Sequence, residues 1–369
     1  MIEIKLAIIG LGNMGRKYAQ DIISKKVSGI KLVAICARNP EQVNWIHQNI
    51  GTDTLIFPSA ESLFESNTVD AVLISTPHSS HPSLAIQAFE KGLHVLIEKP
   101  AGIYTKEVKE MNNAAKKAGT VFGIMHNQRT NPLYLKLKNL ITTGELGEIR
   151  RVNWIVTSLY RSQSYYDSDS WRGTWAGEGG GVLITQAYHQ LDLLQWLCGM
   201  PTRVRAFMGF GKMHDIEVED DVTAYLEYKN GATGVFIAST CDTPGTNRLE
   251  ITGDGGKIVI EDNSFEFWKL RTPERKFNQE YTGGFGEPEC FKCTVPIEAE
   301  NTGRIGILQN WVEAIHKNTP LLAPGEEGIL GLMLVNAMHL SAWTDHWVNL
   351  PINEDLFLKS LQEKINHLS

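Results

Sequence analysis

Over residues 2–124 the chain alternates short, nearly unbroken apolar runs with stretches whose apolar residues recur every three or four positions. Residues 4–9, 31–36, 71–75, 94–98 and 121–125 read as strands covered on both faces, which is why polar residues hardly interrupt them. Residues 14–27, 40–50, 59–65, 82–91 and 105–118 read as the intervening helices, with Gly92 and Gly119 placed at left-handed helix stops. This alternation predicts a doubly wound parallel α/β sheet.

Past residue 148 the pattern changes. Residues 152–157, 204–208, 222–228, 233–239, 249–253 and 257–261 read as strands with few helices between them. Asn230-Gly231 joins two of these strands, a hairpin signal resting on positive φ at both turn residues. One long helix is predicted at 183–197, and helices return at 305–317, 326–345 and 354–367. The expected organisation is a dinucleotide-binding domain at 1–125, a connecting helix at 126–147, and an α+β domain at 148–369 with a large, mostly antiparallel sheet. The C-terminal helices have the option of packing back on the first domain.

Composition narrows the class without naming it. At 369 residues, 42% hydrophobic and 21% charged, the chain is neither disordered, collagen-like nor a disulfide scaffold. Its apolar runs fall far short of the ~18 residues of a membrane span. A net charge of −7 without a Lys/Arg cluster makes nucleic acid a poor partner. The N-terminal Met-Ile-Glu-Ile-Lys-Leu runs straight into a strand and lacks the features of a secretory signal. Five cysteines (Cys36, Cys198, Cys241, Cys290 and Cys293) read as thiols of a reducing cytoplasm, the expected location. Cys290 and Cys293 have metal-like spacing but no second ligand pair and read as two thiols on one or adjacent strands, and the acidic run 217–221 reads as a solvated loop, so no metal site is expected.

Gly10-Leu11-Gly12-Asn13-Met14-Gly15 lies between the first strand and the first helix, the context that gives G-x-G-x-x-G its meaning. Gly10 permits a tight turn, Gly12 admits a pyrophosphate to the backbone, and Gly15 lets helix and strand pack closely. The helix N-terminus offers free N–H groups to the phosphates. The alternative is a glycine turn without a ligand. The second strand ends on Ala37 and Arg38, with no carboxylate to receive a ribose 2′-hydroxyl. A guanidinium suits a 2′-phosphate, so NADP is favoured over NAD. Arg38 could instead be a solvated arginine, or one stacked on adenine in an NAD enzyme.

Glu98-Lys99-Pro100 closes the run at 94–98, at the strand end where open α/β sheets bind ligands. Oxidising an alcohol by hydride transfer requires a base for the hydroxyl proton. A lysine desolvated beside a positive nicotinamide ring suits that role, and Pro100 favours a cis bond that would aim it. A solvent-exposed strand-end lysine is the bland alternative.

Together with Ser75-Thr76-Pro77-His78 and His81, these motifs resemble the glucose–fructose oxidoreductase/inositol dehydrogenase/rhizopine catabolism (Gfo/Idh/MocA) family. The likeness extends through Thr143-Gly144-Glu145-Leu146-Gly147-Glu148-Ile149, Gly179-Gly180-Gly181-Val182-Leu183, His189 with Asp192, and Gly253-Asp254-Gly255-Gly256. It covers essentially the whole chain. The resemblance implies a Rossmann domain, an open-faced sheet, and an active site between them. It places Lys99 and His189 at the reacting hydroxyl and Glu98 beside the nicotinamide ribose. Thr76, Pro77, His78 and His81 would line the cofactor, while Arg129, Trp171 and Arg172 would lie near nicotinamide and substrate.

Family dehydrogenases often carry Asp or Asn four residues before that histidine, where this chain has Thr185 and then Gln186. Either Gln186 partly substitutes in positioning substrate, or Lys99 and His189 relay the proton alone. Asp192 could orient the imidazole from nearly the same helical face or belong to the helix surface. His189 itself could be a satisfied core histidine. The loop 160–175, with Tyr160, Arg161, Tyr165, Tyr166, Trp171, Arg172 and Trp175, suits a polyhydroxylated ligand, unless its aromatics pack back on the sheet.

The resemblance therefore implies an NAD(P)-dependent dehydrogenase of a sugar, sugar derivative or cyclitol, assembled as a homodimer or homotetramer. The rivals are a redox-assisted sugar enzyme that retains its cofactor (a sugar–sugar oxidoreductase or NAD-assisted glycosidase) and a non-catalytic NAD(P)-binding regulator.

Overall fold

The structure is a computed structural model that describes residues 3–262, 264–297 and 299–367. The chain divides into two compact units, the first running to Thr130 and taking in Thr302–Leu332, the second comprising Asn131–Asn301 and the chain from Met333 on.

The first unit contains β1 (Ile4–Ile9), α1 (Asn13–Ile23), β2 (Ile30–Cys36), α2 (Pro40–Asn49), β3 (Leu55–Phe57), α3 (Ala60–Ser66), β4 (Ala71–Ile74), α4 (His81–Glu90), β5 (His94–Ile97), α5 (Thr105–Ala118) and β6 (Phe122–Ile124). The strands form one parallel sheet in the order β3-β2-β1-β4-β5-β6. Burial on both faces explains the composition: all four residues of β4 are buried, as are Val95, Leu96 and Ile97 of β5. The strand order reverses between β1 and β4, so the crevice at their carboxyl ends is the place for a ligand. β3 escaped the sequence reading because three residues carry no measurable period.

The second unit begins with α6 (Pro132–Thr142), β7 (Ile149–Val156), α7 (Gln163–Tyr166), α8 (Trp175–Glu178), α9 (Val182–Thr185) and α10 (Tyr188–Cys198). There follow β8 (Arg203–Phe210), β9 (Glu219–Glu227), β10 (Thr233–Ser239), β11 (Asn247–Gly253), β12 (Gly256–Glu261), β13 (Ser264–Leu270), α11 (Glu274–Glu280) and β14 (Cys290–Cys293). After α12 (Gly303–Lys317), which belongs to the first unit, come α13 (Gly328–Thr344), β15 (Val348–Asn349) and α14 (Glu354–His367). The nine strands pair as β14-β13-β12-β11-β7-β10-β9-β8-β15, antiparallel except for β7 against β10. β13 and β15 were not expected, whereas a strand at the 290–293 cysteine pair was. Both cysteines of the 290–293 pair lie on β14.

Three sequence expectations need correction. The helix predicted at 183–197 is two helices. The Thr185 hydroxyl bonds back to the Gly181 carbonyl (2.7 Å) and the Ala187 N–H reaches Val182 O (2.7 Å), so the first turn closes before α10 starts. The acidic run 217–221 is not a solvated loop, for Glu219 and Asp220 are fully buried at the start of β9. Glu219 accepts the N–H groups of Gly181 (2.9 Å) and Leu183 (3.1 Å) and pairs with His339 (2.9 Å), which caps α9. At the Asn230-Gly231 hairpin only Gly231 has positive φ (+84°). Bonds from Gly231 N–H to Tyr228 O and from Tyr228 N–H to Ala232 O make a wider turn than the two-residue form.

Candidate active site

The glycine motif takes the form its spacing predicts. Gly10 lies at φ +99°, and a Cβ there would come within 2.8 Å of the Ser75 carbonyl group. A Cβ on Gly15 would meet Gly10 O at 2.0 Å, so α1 can sit this close to β1 only with glycine. Gly12 differs: a Cβ there meets nothing within 4 Å, and Gly12 and Asn13 are exposed while Met14 is half-buried. Gly12 is also the N-cap of α1, and no side chain caps that end. Open space beside uncapped N–H groups at the positive end of a helix dipole fits a pyrophosphate.

At the tip of β2, Ala37 is buried and donates its N–H to Phe57 O (3.0 Å), while Arg38 is exposed. Arg38 N–H donates to Gln42 Oε1 (2.9 Å), and Asn39 caps α2 by accepting from Gln42 N–H (2.9 Å). The sequence reading missed Glu61, whose carboxyl is held below its usual range by its own backbone N–H, then by the Ser59 hydroxyl, with Arg38 adding to the effect.

At the end of β4, Ser75 donates its hydroxyl to Gly10 O (2.7 Å), which locks the phosphate loop to the neighbouring strand. Thr76 and Pro77 follow, and His78 is half-buried in a short 3-10 turn. His81 is fully buried, with Nδ1 2.9 Å from Pro100 O and Nε2 2.7 Å from Thr76 O. Burial holds its pKa below the ordinary imidazole value against the pull of the two carbonyls. His81 thus joins the loops that follow β4 and β5.

Glu98 is buried beyond β5. Tyr18 donates its hydroxyl to Glu98 Oε1, and the Lys99 N–H donates to Oε2 (3.0 Å). Burial pushes the Glu98 carboxyl above the usual range, and burial together with the Glu98 charge pushes the Tyr18 phenol up. Lys99 is half-buried, and the Lys99–Pro100 peptide is cis. Arg129 is fully buried, with its guanidinium bonded to the Glu327 carboxylate and Leu322 O (3.2 Å) within the same unit.

In the second unit His189 is half-buried in the first turn of α10. Asp192 is buried, which removes the helix-surface alternative, and its Oδ1 accepts from Gln195 Nε2 (3.0 Å). Thr185 also bonds to the Gln186 side chain. The hub of the aromatic loop is Tyr165, one aromatic among several in the sequence reading of that loop. Its hydroxyl accepts from Arg172 Nη1 (2.9 Å) and Gln186 Nε2 (3.4 Å), and the guanidinium groups of Arg172 and Arg161 lie 4.6 and 5.2 Å from its ring. Arg172 also lies 4.4 Å from the Trp171 ring. Tyr160 is exposed. Tyr166 and Trp175 are buried, Trp175 against His339 and Trp343, so those two aromatics do pack back into the unit.

Comparison with known proteins agrees with this architecture. Residues 4–126 match the model of an oxidoreductase family with an NAD-binding Rossmann fold, and residues 134–259 match the GFO/IDH/MocA C-terminal domain. A scyllo-inositol 2-dehydrogenase (NAD(+)) of Bacillus subtilis is 26% identical over 70% of this chain and 74% of its own length. A levoglucosan dehydrogenase of Pseudarthrobacter phenanthrenivorans is 26% identical over 95% of this chain and 99% of its own. Among solved structures, the WlbA dehydrogenase of Bordetella pertussis in complex with NADH and UDP-GlcNAcA superimposes with a TM-score of 0.81 at 26% identity, covering 95% of this chain and all of that one. No described helix is long and apolar enough to cross a membrane.

Proposed function

Because the chain belongs to the GFO/IDH/MocA oxidoreductase family, we propose that it is an NAD(P)-dependent dehydrogenase of a secondary alcohol in a sugar, sugar derivative or cyclitol. The observation that carries this reading is the placement of Lys99 at the carboxyl end of β5, in the unit whose α1 N-terminus is open and uncapped beside Gly12. A bound nicotinamide supplies the hydride acceptor. Lys99 takes the hydroxyl proton as the C–H electron pair leaves as hydride to that acceptor and the C=O bond forms, and His189 helps to handle the proton. Glu98, fixed by Tyr18 and the Lys99 N–H, holds the cofactor's ribose side. Asp192 orients His189. Tyr165, Arg161, Trp171, Arg172 and Gln186 form the platform for the polyol. The relatives' substrates, inositols and anhydrosugars by name, support this class.

For the cofactor, Ala37 and exposed Arg38 favour NADP. The test is a panel of polyols and sugars with NAD and NADP separately, read by nicotinamide absorbance. Turnover of a polyol is the expected result. Tight cofactor binding with no turnover across the panel would favour the regulatory reading instead.

A further inference from the structure

The loop between β8 and β9, the start of β9 and the residue two beyond β10 bring His214, Asp220 and Cys241 together. His214 Nδ1 lies 3.2 Å from Asp220 Oδ2 and 3.7 Å from Cys241 Sγ, and the three donor atoms all lie within 4.8 Å of one another. We propose that this cluster is a binding site for a borderline-soft divalent transition ion, Zn2+ foremost, which clamps the base of the aromatic loop.

The distances carry the argument. Tetrahedral zinc with bonds of 2.0–2.3 Å sets its ligand atoms roughly 3.3–3.6 Å apart. The spacings of 3.2 and 3.7 Å from His214 bracket that value, and with all three donor atoms within 4.8 Å of one another, side-chain rotations would bring them to three corners. Ligand chemistry selects the ion, since thiolate and imidazole disfavour Mg2+ and Ca2+. One thiolate and one carboxylate neutralise a divalent ion, which matters where the Asp220 side chain is fully buried and that of His214 is 8% exposed.

The surroundings are built as they are around known zinc ligands. The far nitrogen of His214, Nε2, lies 2.9 Å from Arg161 O and so fixes the ring with Nδ1 toward the cluster. Asp220 is fixed too, accepting from the N–H groups of Lys212 (3.2 Å), Met213 (2.8 Å) and His214 (3.1 Å). Cys241 is half-buried, its N–H bonded to Ser239 Oγ (3.0 Å).

The same residues touch the loop. Arg161 N–H donates to Thr240 O (2.9 Å), Tyr166 donates to Thr240 Oγ1 (3.2 Å), and the Tyr166 ring stands 4.9 Å from that of His214. An ion held by His214 and Cys241 would therefore fix the start of the segment that carries Tyr165 and Arg172.

The test uses the full chain, stripped with chelator and titrated with Zn2+ against a chromophoric competitor, then with Co2+ read by optical absorption. One equivalent per chain and a cobalt–thiolate charge-transfer band are expected. Cys241→Ser should abolish the band and weaken Zn2+ binding by at least ~10-fold, with His214→Asn weakening it similarly. The double variant Cys290→Ser/Cys293→Ser should keep both signals. Absence of a saturable equivalent, or a band that survives in Cys241→Ser and disappears in the double variant, would overturn the proposal. Circular dichroism of each variant separates loss of ligand from loss of fold, and His214→Asn decides the matter if Cys241→Ser does not fold.

Discussion

The Tyr18 hydroxyl donates to the buried Glu98 carboxylate, tying the helix of the phosphate loop to the residue before Lys99. Tyr18→Phe leaves that buried carboxylate short of a partner. The expected loss of stability is about 1–3 kcal/mol, read by urea unfolding. An unchanged midpoint would mean that Glu98 does not depend on Tyr18.

The pH dependence of stability has a definite sign at Glu98. Burial raises its folded-state pKa above the unfolded value of about 4.3. Between the two values the folded chain keeps a proton that the unfolded chain has lost, so stability falls as pH rises through that window. Glu98→Gln removes the effect. Its unfolding free energy relative to the parent should rise from about pH 4 upward and level off once the folded carboxyl ionises. A difference that does not vary with pH contradicts the assignment.

His81 supports the same strand ends. His81→Phe removes the one ring N–H that a neutral imidazole offers between the carbonyls of Thr76 and Pro100, and should cost about 1–3 kcal/mol in unfolding free energy.

Two glycines of one motif should separate binding from folding. Gly12→Ala adds a methyl that meets nothing in the free protein, so stability should hold within about 0.5 kcal/mol. Cofactor affinity should nevertheless fall by ~10-fold or more, as the methyl occupies the pyrophosphate's approach. Gly15→Ala collides with Gly10 O and should lose stability as well. Equal behaviour of the two variants in thermal unfolding would contradict the geometry.

Ala37→Asp places a carboxylate at the tip of β2 and should shift the NADP/NAD ratio of kcat/KM toward NAD by ~10-fold or more. A ratio left unchanged would remove the reading of Ala37 and Arg38 as the cofactor selector.

The sequence displayed the first sheet almost completely, because strands covered on both faces leave unbroken apolar runs such as 71–74. It displayed the second sheet less well: β13 is half-buried along most of its length, and β14 is four residues long and mostly exposed. Thr185 and Gln186 were visible as departures from the family pattern. The helix break beside them was not, since no Gly or Pro marks it and it shows only in the turn closed by the Thr185 hydroxyl on Gly181 O and the Ala187 N–H on Val182 O. Tyr165 was one aromatic among several in its loop. Only the convergence of Arg161, Arg172 and Gln186 on it sets it apart.

The most direct test of the central claim is Lys99→Met, assayed for turnover of an active polyol and, separately, for cofactor binding by fluorescence titration. kcat should fall at least ~100-fold, the scale of a lost general base, with the cofactor dissociation constant changed by less than about threefold. Turnover at the parent rate would show that the hydroxyl proton goes elsewhere.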